Sequence, residues 1–259
     1  MNRFVRSLAI LIAYAGQAVA DATPLALRTE YQDTAPKFIQ SAAGEFSGLC
    51  VELLALIGRQ ARIDFPQPGH FVPRKRIQAN LEQGQTEVYC GVKQTASRQS
   101  KLLFSDPLYS VAYMVLGRRD ETSRVASIKQ LAEMADEQPV LSIFGSGNAA
   151  DLKRRLRFLD DTAHDLRTNV RKLVAGRGRF LIYYDLALRY ELDHPDNHDL
   201  RNTIQIVGQG IEPYNHYLAF SRKLAPELIE RINLAIRDLR RIEEWQSILT
   251  RYRASPALL

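Results

Sequence analysis

The stretch Thr86–Tyr109, TEVYCGVKQTASRQSKLLFSDPLY, decides how the rest of the chain is interpreted. It begins with a β-prone run, Thr86–Cys90, which breaks at Gly91. A polar segment that contains Arg98 follows, and an apolar patch, Leu102–Phe104, comes after it. A buried strand that ends at a glycine and continues into a polar loop commonly presents a charged group at the edge of a sheet. The pattern therefore predicts that Arg98 is offered there to an anionic ligand.

Upstream of this stretch, strands and helices are predicted to alternate. Leu25–Thr29 and Ile63–Phe65 have the composition of short strands, and leucines at helical spacing predict an amphipathic helix over Leu49–Gln60. Another helix is expected to open at Pro73 and to stop at Gly84. The resulting order, β-α-β-α-β, is typical of an α/β domain with ligand loops at the strand ends.

Downstream, the pattern predicts a second α/β block and a helical end. The predicted strands are Val111–Leu116, Pro139–Phe144, Arg179–Tyr184, Thr203–Val207 and Tyr214–Phe220. The predicted helices are Ile128–Ala135, Ala149–Leu159, one around Val170–Val174, one that begins at Pro226 and one around Trp245. We interpret Gly208 and Gly210 as a break between the last two strands, and His194–Asp199 as a polar loop.

The first 20 residues have the features of a cleaved signal peptide. Arg3 and Arg6 form a basic segment, Leu8–Gly16 is apolar, and Ala18–Ala20 fits an A-x-A cleavage site. The apolar segment is too short to span a bilayer, although a membrane anchor is the alternative interpretation. We expect residues 1–20 to be removed and the mature protein to reach the periplasm.

The mature chain has a mild basic bias. Without Arg3 and Arg6 it carries 33 lysines and arginines against 29 acidic residues, spread along its length. An ordinary solvated surface accounts for most of these charges, and an anionic solute or the cell envelope is a more natural partner than nucleic acid. We therefore expect no nucleic-acid partner.

The sequence offers no metal or catalytic motif. Its two cysteines, Cys50 and Cys90, can pair in an oxidising compartment or remain as two buried thiols, but they do not make a metal site. His194 and His198 are four residues apart, yet Pro195 opposes a continuous helix between them. No serine lies in a G-x-S-x-G motif. We expect no metal, no cofactor and no catalytic residue.

The motifs around Arg98 resemble those of periplasmic solute-binding proteins of the polar amino-acid type, family 3. The family's T-x-x-R signature stands here as Thr95–Arg98, and its F-S-x-P-Y signature as Phe104–Tyr109 with one residue inserted before the tyrosine. Pro73–Arg76 is similar to a P-W-x-R run, with arginine where tryptophan is usual. Tyr214–Tyr252 resembles the family's C-terminal tail, so the resemblance covers most of the mature chain.

The resemblance implies an α/β protein of the type 2 periplasmic-binding fold. Such a fold has two α/β lobes joined by two crossings, with the ligand in the cleft between the lobes. Lobe 1 is then expected to comprise residues 21–113 and 207–259, and lobe 2 residues 114–206. The crossings are expected near Tyr113 and Val207.

In lobe 1, the resemblance implies that Arg98 clamps a ligand carboxylate. A guanidinium presents a planar fork of donors to a carboxylate and stays charged. Thr95 and the backbone at Cys90, Gly91 and Val92 match positions that hydrogen-bond the ligand, and glycine permits close approach. The alternatives are a surface arginine in a polar loop and, for Thr95, a helix cap.

Other implied contacts lie on both sides of the cleft. Gly145 and Ser146 of lobe 2 match a carboxylate contact at the start of a helix, although a plain turn between strand and helix is the alternative. Tyr31 matches an aromatic side chain that stacks on the ligand, or is a partly exposed loop tyrosine. Asp185 follows the strand near which amino-acid binders place an acid for the ligand ammonium. Arg76 is expected on the cleft side of its helix, or as a solvated charge.

Three departures from the family pattern concern acidic residues. Tyr184 falls on the position of the ammonium-binding acid, Arg179 replaces the acid of a G-R-x-D run, and Cys50 stands where amino-acid binders often have aspartate. A carboxylate that lacks an ammonium group, or another anion, is therefore as compatible with the site as an amino acid. In the family register Cys50 and Cys90 both lie at the cleft side of lobe 1, which implies a disulfide near the ligand site.

The function implied is that of a periplasmic receptor without catalytic activity. It would capture a small carboxylate or amino acid, act as a monomer and deliver its ligand to an ABC permease in the inner membrane. Two alternatives share the fold. A periplasmic dehydratase would need a cleft carboxylate as acid or base, and such acids are scarce here. A sensor would bind a solute and then dock on a membrane receptor.

Overall fold

The computed structural model describes residues 25–135 and 138–259, in which eleven strands alternate with ten α-helices. The strands are β1 (Leu25–Ala26), β2 (Ile39–Gln40), β3 (Phe46–Ser47), β4 (Ile63–Asp64), β5 (Val88–Lys93), β6 (Leu102–Phe104), β7 (Tyr109–Arg118), β8 (Val140–Ile143), β9 (Leu159–Ala163), β10 (Phe180–Tyr184) and β11 (Ile204–Ser221). The helices are α1 (Leu49–Ala61), α2 (Arg74–Gln83), α3 (Ala96–Gln99), α4 (Ile128–Met134), α5 (Gly147–Leu152), α6 (Leu166–Val174), α7 (Asp185–Asp193), α8 (His198–Arg201), α9 (Pro226–Leu239) and α10 (Glu243–Arg251). The signal peptide expected at residues 1–20 lies outside the described residues.

Two long strands, β7 and β11, connect the two lobes of the protein. They pair antiparallel from Arg118 opposite Ile204 to Tyr109 opposite His216. Both belong to a seven-stranded sheet of order β5-β11-β7-β10-β8-β9, in which β6 also pairs with β11. The mixed α/β class expected from the sequence is confirmed, and β7 and β11 are the two crossings.

The neighbours of these strands change part-way along the sheet. In lobe 1, β5 and β6 pair with residues 216–221 of β11. In lobe 2, β10 pairs with residues 113–117 of β7 and with β8. The cleft between the lobes lies where one set of partners replaces the other. The lobe boundaries, 21–113 with 207–259 and 114–206, stay a prediction.

The structure has two helices that the sequence interpretation lacks, α3 and α7, and it differs from the predicted elements at three further places. The two strands expected at 203–207 and 214–220 are one strand, β11, because the glycines between them produce register shifts and not a break. The basic helix expected over Ala149–Leu159 ends at Leu152, and Leu159 begins strand β9. The loop expected at His194–Asp199 contains a 3₁₀ turn, Pro195–Asn197, and the start of α8.

Lobe 1 is built around α1, whose apolar residues recur at helical spacing. Leu49, Leu53, Leu54 and Ile57 are all buried in the main core. At 2–3 kcal/mol per fully buried leucine or isoleucine side chain, such a face fixes the helix against the sheet. This packing sets Cys50, in the first turn of α1, beside the end of β5. None of the helices in the described ranges is long and apolar enough to cross a membrane.

Candidate functional site

A small cavity between the two lobes contains a concentration of basic side chains. We call it the basic cavity. Its lining residues are Lys37, Arg74, Gly91, Lys93, Arg98 and His216, with Ser146, Gly147, Asn148, Tyr183 and Tyr184 from lobe 2. No aspartate or glutamate is among these lining residues. The cavity is therefore suited to an anion.

Arg98 reaches the cavity from α3, directly after β5. The Thr95 hydroxyl caps this short helix by accepting a hydrogen bond from the Arg98 backbone N–H at 3.4 Å. The Arg98 Nη1 donates to the Lys93 carbonyl at 2.9 Å, and a Cβ added at Gly147 would lie 2.7 Å from the same nitrogen. Burial and the nearby Arg74 lower the pKa of Arg98 to about 10, so the guanidinium stays charged at neutral pH. Arg98 thus belongs to lobe 1 but lies against lobe 2.

Gly91 is the point at which β5 passes closest to its neighbours. Its φ is +80°, a conformation that favours glycine, and an added Cβ would lie 2.6 Å from the Lys37 Cδ and 2.9 Å from the Tyr109 hydroxyl oxygen. The Lys37 Nζ donates to the Gly91 carbonyl at 3.1 Å. Lys37 is only 2 % exposed, and burial together with Arg74 and Arg98 holds its pKa well below the ordinary value.

Arg74 lines the cavity, whereas Arg76 lies on the exposed face of the same helix. Successive residues of a helix are about 100° apart around its axis. Arg74 and Arg76 are two positions apart, so they lie about 200° from each other and only one of them can face the cleft. The Nε of Arg74 is buried without a hydrogen-bond partner. Arg74, which stands where the family pattern has tryptophan, therefore faces the cavity. The position expected of Arg76, on the cleft side of the helix, is occupied by Arg74.

A disulfide joins Cys50 of α1 to Cys90 of β5. The Cα atoms are 5.8 Å apart, within the range that a disulfide spans, and both residues are fully buried. The Cys50 sulfur would lie 3.1 Å from a Cβ added at Gly91. The bond therefore lies directly behind the backbone that forms one wall of the basic cavity.

Lobe 2 contributes the end of β10 and the start of α5. The Ser146 hydroxyl accepts from the Ala149 N–H at 2.9 Å and caps α5, and Gly145 lines a neighbouring groove and not the basic cavity. Tyr184 lines the cavity, and its hydroxyl is buried without a partner. Asp185 does not line the cavity, because its carboxylate accepts from the N–H groups of Ala112 at 3.3 Å and Leu186 at 2.8 Å.

The remaining residues singled out from the sequence lie behind the cavity wall. Tyr31 is 1 % exposed, and its ring stacks on Phe38 with the centroids 4.4 Å apart. It is a core aromatic and does not line the basic cavity. Val92 is buried and lines a second small cavity, which shares Arg74 and Arg98 with the basic cavity. Cys90 is occupied by its disulfide.

Residues 27–255 match the model of the family described as bacterial extracellular solute-binding proteins, family 3. The chain belongs to this family. The match covers nearly all of the described residues, in agreement with the resemblance seen around Arg98. A search of curated protein sequences found no significant match.

Solved structures similar to this solute-binding protein share its two-lobe fold. An amino-acid ABC transporter substrate-binding protein of Streptococcus pneumoniae bound to L-arginine is 16% identical, with 88% of this chain and 93% of that chain covered and a TM-score of 0.70. A histidine kinase sensor domain with similarity to periplasmic binding proteins is 18% identical, over 90% and 97% of the two chains, with a TM-score of 0.73. An ancestral amino-acid-binding protein, a precursor of cyclohexadienyl dehydratase, is 17% identical, over 88% of this chain and 94% of that chain, with a TM-score of 0.72.

At identities this low, the structural similarity shows the shared type 2 fold alone. It confirms the two-lobe architecture expected from the sequence.

Several residues of the site in this solute-binding protein were not found from its sequence. Lys37, Lys93, Tyr183 and His216 line the basic cavity but lie in no recognisable motif. His216 is buried, contacts the Tyr109 hydroxyl at 3.1 Å, and has a pKa held well below its ordinary value by burial and then by Lys37. The apolar pattern of β11 places His216 on a buried strand, which is the one signal that could have suggested a constrained histidine.

Proposed function

We propose that the protein is a periplasmic receptor that binds a small anionic or amino-acid-like solute in the basic cavity and delivers it to an ABC importer. Arg98 carries this proposal, because its guanidinium lies between the lobes and lacks a carboxylate partner among the described residues. A carboxylate bound there would supply the missing charge and would bridge Arg98 of lobe 1 to Gly147 of lobe 2. Ligand binding and lobe closure would thus be the same event.

Family membership supports the extracellular part of this proposal. The family is one of bacterial extracellular solute-binding proteins, and the S. pneumoniae structure of the same fold has L-arginine bound. Export through the signal peptide at residues 1–20, a monomeric state and docking on a permease complete the proposed cycle. The similar histidine kinase sensor domain gives the sensor alternative a structural precedent for the fold.

The dehydratase alternative needs a group that exchanges protons with the ligand. The lining of the basic cavity contains no carboxylate for that role. The ancestral structure, itself an amino-acid-binding protein and a precursor of a dehydratase, connects the fold to both activities. The composition of the cavity favours binding over catalysis.

The test is a thermal-shift screen of small carboxylates and amino acids, followed by calorimetry on the best ligand. Arg98→Ala should weaken that ligand by about 2–5 kcal/mol, or about 30- to 5,000-fold, because one partner of a buried charge pair is lost. Arg179→Ala is the matched control, since Arg179 is paired with Glu121 outside the cavity. Equal affinities for the wild type and Arg98→Ala would remove Arg98 from the site.

A further inference from the structure

The basic cavity contains more positive charge than one carboxylate can balance. Lys37, Arg74 and Arg98 all line it, and no carboxylate among the described residues forms a salt bridge with any of the three. Lys93 is a fourth cation, but its Nζ lies 3.9 Å from the Asp151 carboxylate. Buried charges are costly unless they are paired. A ligand with a single negative charge would leave most of this positive charge uncompensated when the lobes close.

The three cations are close enough to affect one another. Arg74 and Arg98 both lower the pKa of Lys37, and Arg74 lowers that of Arg98. All three, together with Lys93, contribute to the lowered pKa of His216. Mutual repulsion of this kind is relieved by an anion that contacts more than one of the cations.

Two buried polar atoms in the same cavity lack hydrogen-bond partners. They are the Nε of Arg74 in lobe 1 and the hydroxyl of Tyr184 in lobe 2. Buried polar groups without a partner are rare in proteins, and each needs an explanation. The cavity has a volume of only about 20 Å³, so a ligand would enter with the lobes further apart. Its acceptor atoms would then satisfy both groups, in addition to Arg98.

The cavity also lacks a site for an ammonium group. The Asp185 carboxylate is used by two backbone N–H groups and does not line the cavity. The carboxylates of Asp165 and Glu191 line a separate groove, which in the described part of the chain shares only Tyr183 with the basic cavity. Asp33 lines that groove and a neighbouring one that shares Arg74 with the basic cavity, but it does not line the basic cavity itself. An ammonium beside Lys37 and Arg74 would face like charges with no acid among the described lining residues to offset them.

We propose that the ligand is a small molecule with two negative charges and no ammonium group. One anionic group contacts Arg98, and the second contacts Lys37 and Arg74. This inference rests on the proposed solute-binding function, which by itself requires only one anionic group at Arg98. It names the class of solute: a short dicarboxylate or a compact dianion such as phosphate.

Calorimetry with matched probes tests the inference. Succinate, butanoate and L-aspartate share a four-carbon skeleton, and they differ in the second carboxylate and the ammonium. We expect succinate to bind at least about 30-fold more tightly than butanoate, and at least about tenfold more tightly than L-aspartate, because each charged hydrogen bond contributes strongly in a buried site. Malonate, glutarate and inorganic phosphate extend the series and distinguish a dicarboxylate from a compact oxyanion.

A lysine variant tests whether the basic cavity is the source of the preference for dianions over monoanions. Lys37→Met should reduce the preference for the best dianion over its monoanionic counterpart to less than about fivefold, because one of the cations that would contact the second anionic group is removed. Lys101→Met is the matched control, because Lys101 is 52% exposed and pairs with Glu82 at 3.2 Å. It should retain the full preference.

The results distinguish a failure of the dianion inference from a failure of the proposed solute-binding function. If butanoate or L-aspartate binds as tightly as succinate, the inference is overturned while solute binding at Arg98 stands. If no dianion binds but an amino acid does, the same conclusion follows. If no probe binds and the wider screen also finds no ligand, both the inference and the proposed function fail.

Discussion

Arg179 and Arg98 have the same side chain and opposite surroundings. Arg179, just before β10, donates from Nε to Glu121 Oε2 at 2.8 Å and from Nη2 to Glu121 Oε1 at 3.2 Å. Its other donors reach the Met134 carbonyl at 2.6 Å and the Ser123 hydroxyl at 3.2 Å. Arg98 instead donates to one backbone carbonyl, that of Lys93. Among the described residues, the first guanidinium has a carboxylate partner and the second has none.

This difference separates an arginine that stabilises the fold from one that is available to a ligand. A buried ion pair is costly to break, whereas a buried cation without a counter-ion is costly to keep. A fold that retains such a cation, beside Lys37 and Arg74, does so at the expense of its own stability. Variants of the two kinds of group should therefore change different measurements.

The position of Arg179 also corrects an interpretation of the sequence. Arginine in place of the acid of a G-R-x-D run predicts a change in the ligand site. Arg179 lies at one end of β10, opposite the end that carries Tyr184. Five residues of extended chain span about 16 Å, so this substitution lies far from the basic cavity. Its effect is on the packing of lobe 2, through Glu121.

The largest expected effect concerns the disulfide, which we assign to the fold although it lies behind Gly91. Replacing Cys50 and Cys90 together by alanine should lower the free energy of unfolding by about 3–4 kcal/mol, because the bond closes a loop of 40 residues in the unfolded chain. Ligand affinity should change by less than about fivefold, or 1 kcal/mol. Denaturation in urea and calorimetry measure the two quantities.

Reductant provides the control for this variant. It should lower the stability of the wild type toward that of the double variant, and it should leave the double variant unchanged. A loss of affinity as large as that of Arg98→Ala would show that the bond also shapes the ligand site, and the assignment to the fold would fail.

A smaller effect is expected at the Arg179 pair, where it depends on pH. Hydrogen bonds from Arg179 lower the pKa of Glu121 from 4.5 to about 2. A carboxylate whose pKa is lower in the folded state stabilises the fold above pH 4.5, and this contribution is lost as the pH falls toward 2. Glu121→Gln should therefore cost about 1–2 kcal/mol at pH 7, a value reduced for the partial exposure of Arg179. The cost should disappear near pH 2.

Urea denaturation at pH 7, 5 and 3 measures this dependence. Ligand affinity at pH 7 should equal that of the wild type, which distinguishes this arginine pair from Arg98. A destabilisation that is the same at every pH would indicate lost packing and would contradict the electrostatic assignment.

The sequence was informative where the periodicity of the chain is local. The spacing of leucines predicted α1, and Pro73 and Gly84 marked the ends of α2 to within one residue. It failed where pairing across the sheet decides the outcome. Gly208 and Gly210 interrupt the local pattern of β11, but β7 pairs along both halves and keeps the strand continuous. Such long-range pairing overrides local propensity.

The site was predictable to a similar degree. Arg98, Thr95 and Gly91 could be found because they occur in one contiguous motif. Lys37 and His216 are distant from it in the sequence, and only the fold brings them to the same cavity. For Arg74 the departure from the family pattern was visible, but helix geometry was needed to show that this residue, and not Arg76, faces the cavity.

The last prediction concerns Lys37, where stability and binding should change in opposite directions. Among the described residues, the buried amine donates only to the Gly91 carbonyl, and it faces Arg74 and Arg98. Lys37→Met should raise the stability of the ligand-free protein by about 1 kcal/mol at pH 7, because a buried amine whose charged form is destabilised by burial, Arg74 and Arg98 is replaced by an apolar side chain of similar length. The same change should weaken a dianionic ligand.

The pH dependence of this gain follows from the lowered pKa of Lys37. Between that pKa and the ordinary value of 10.5, the unfolded chain binds a proton that the folded protein does not, so the stability of the wild type rises with pH. The advantage of Lys37→Met should therefore shrink as the pH is raised toward 10. Lys101→Met, which removes an exposed lysine, should show neither the gain nor the slope. A loss of stability in Lys37→Met at pH 7 would mean that the hydrogen bond to Gly91 outweighs the repulsion, and Lys37 would then belong with Arg179 among the groups that hold the fold.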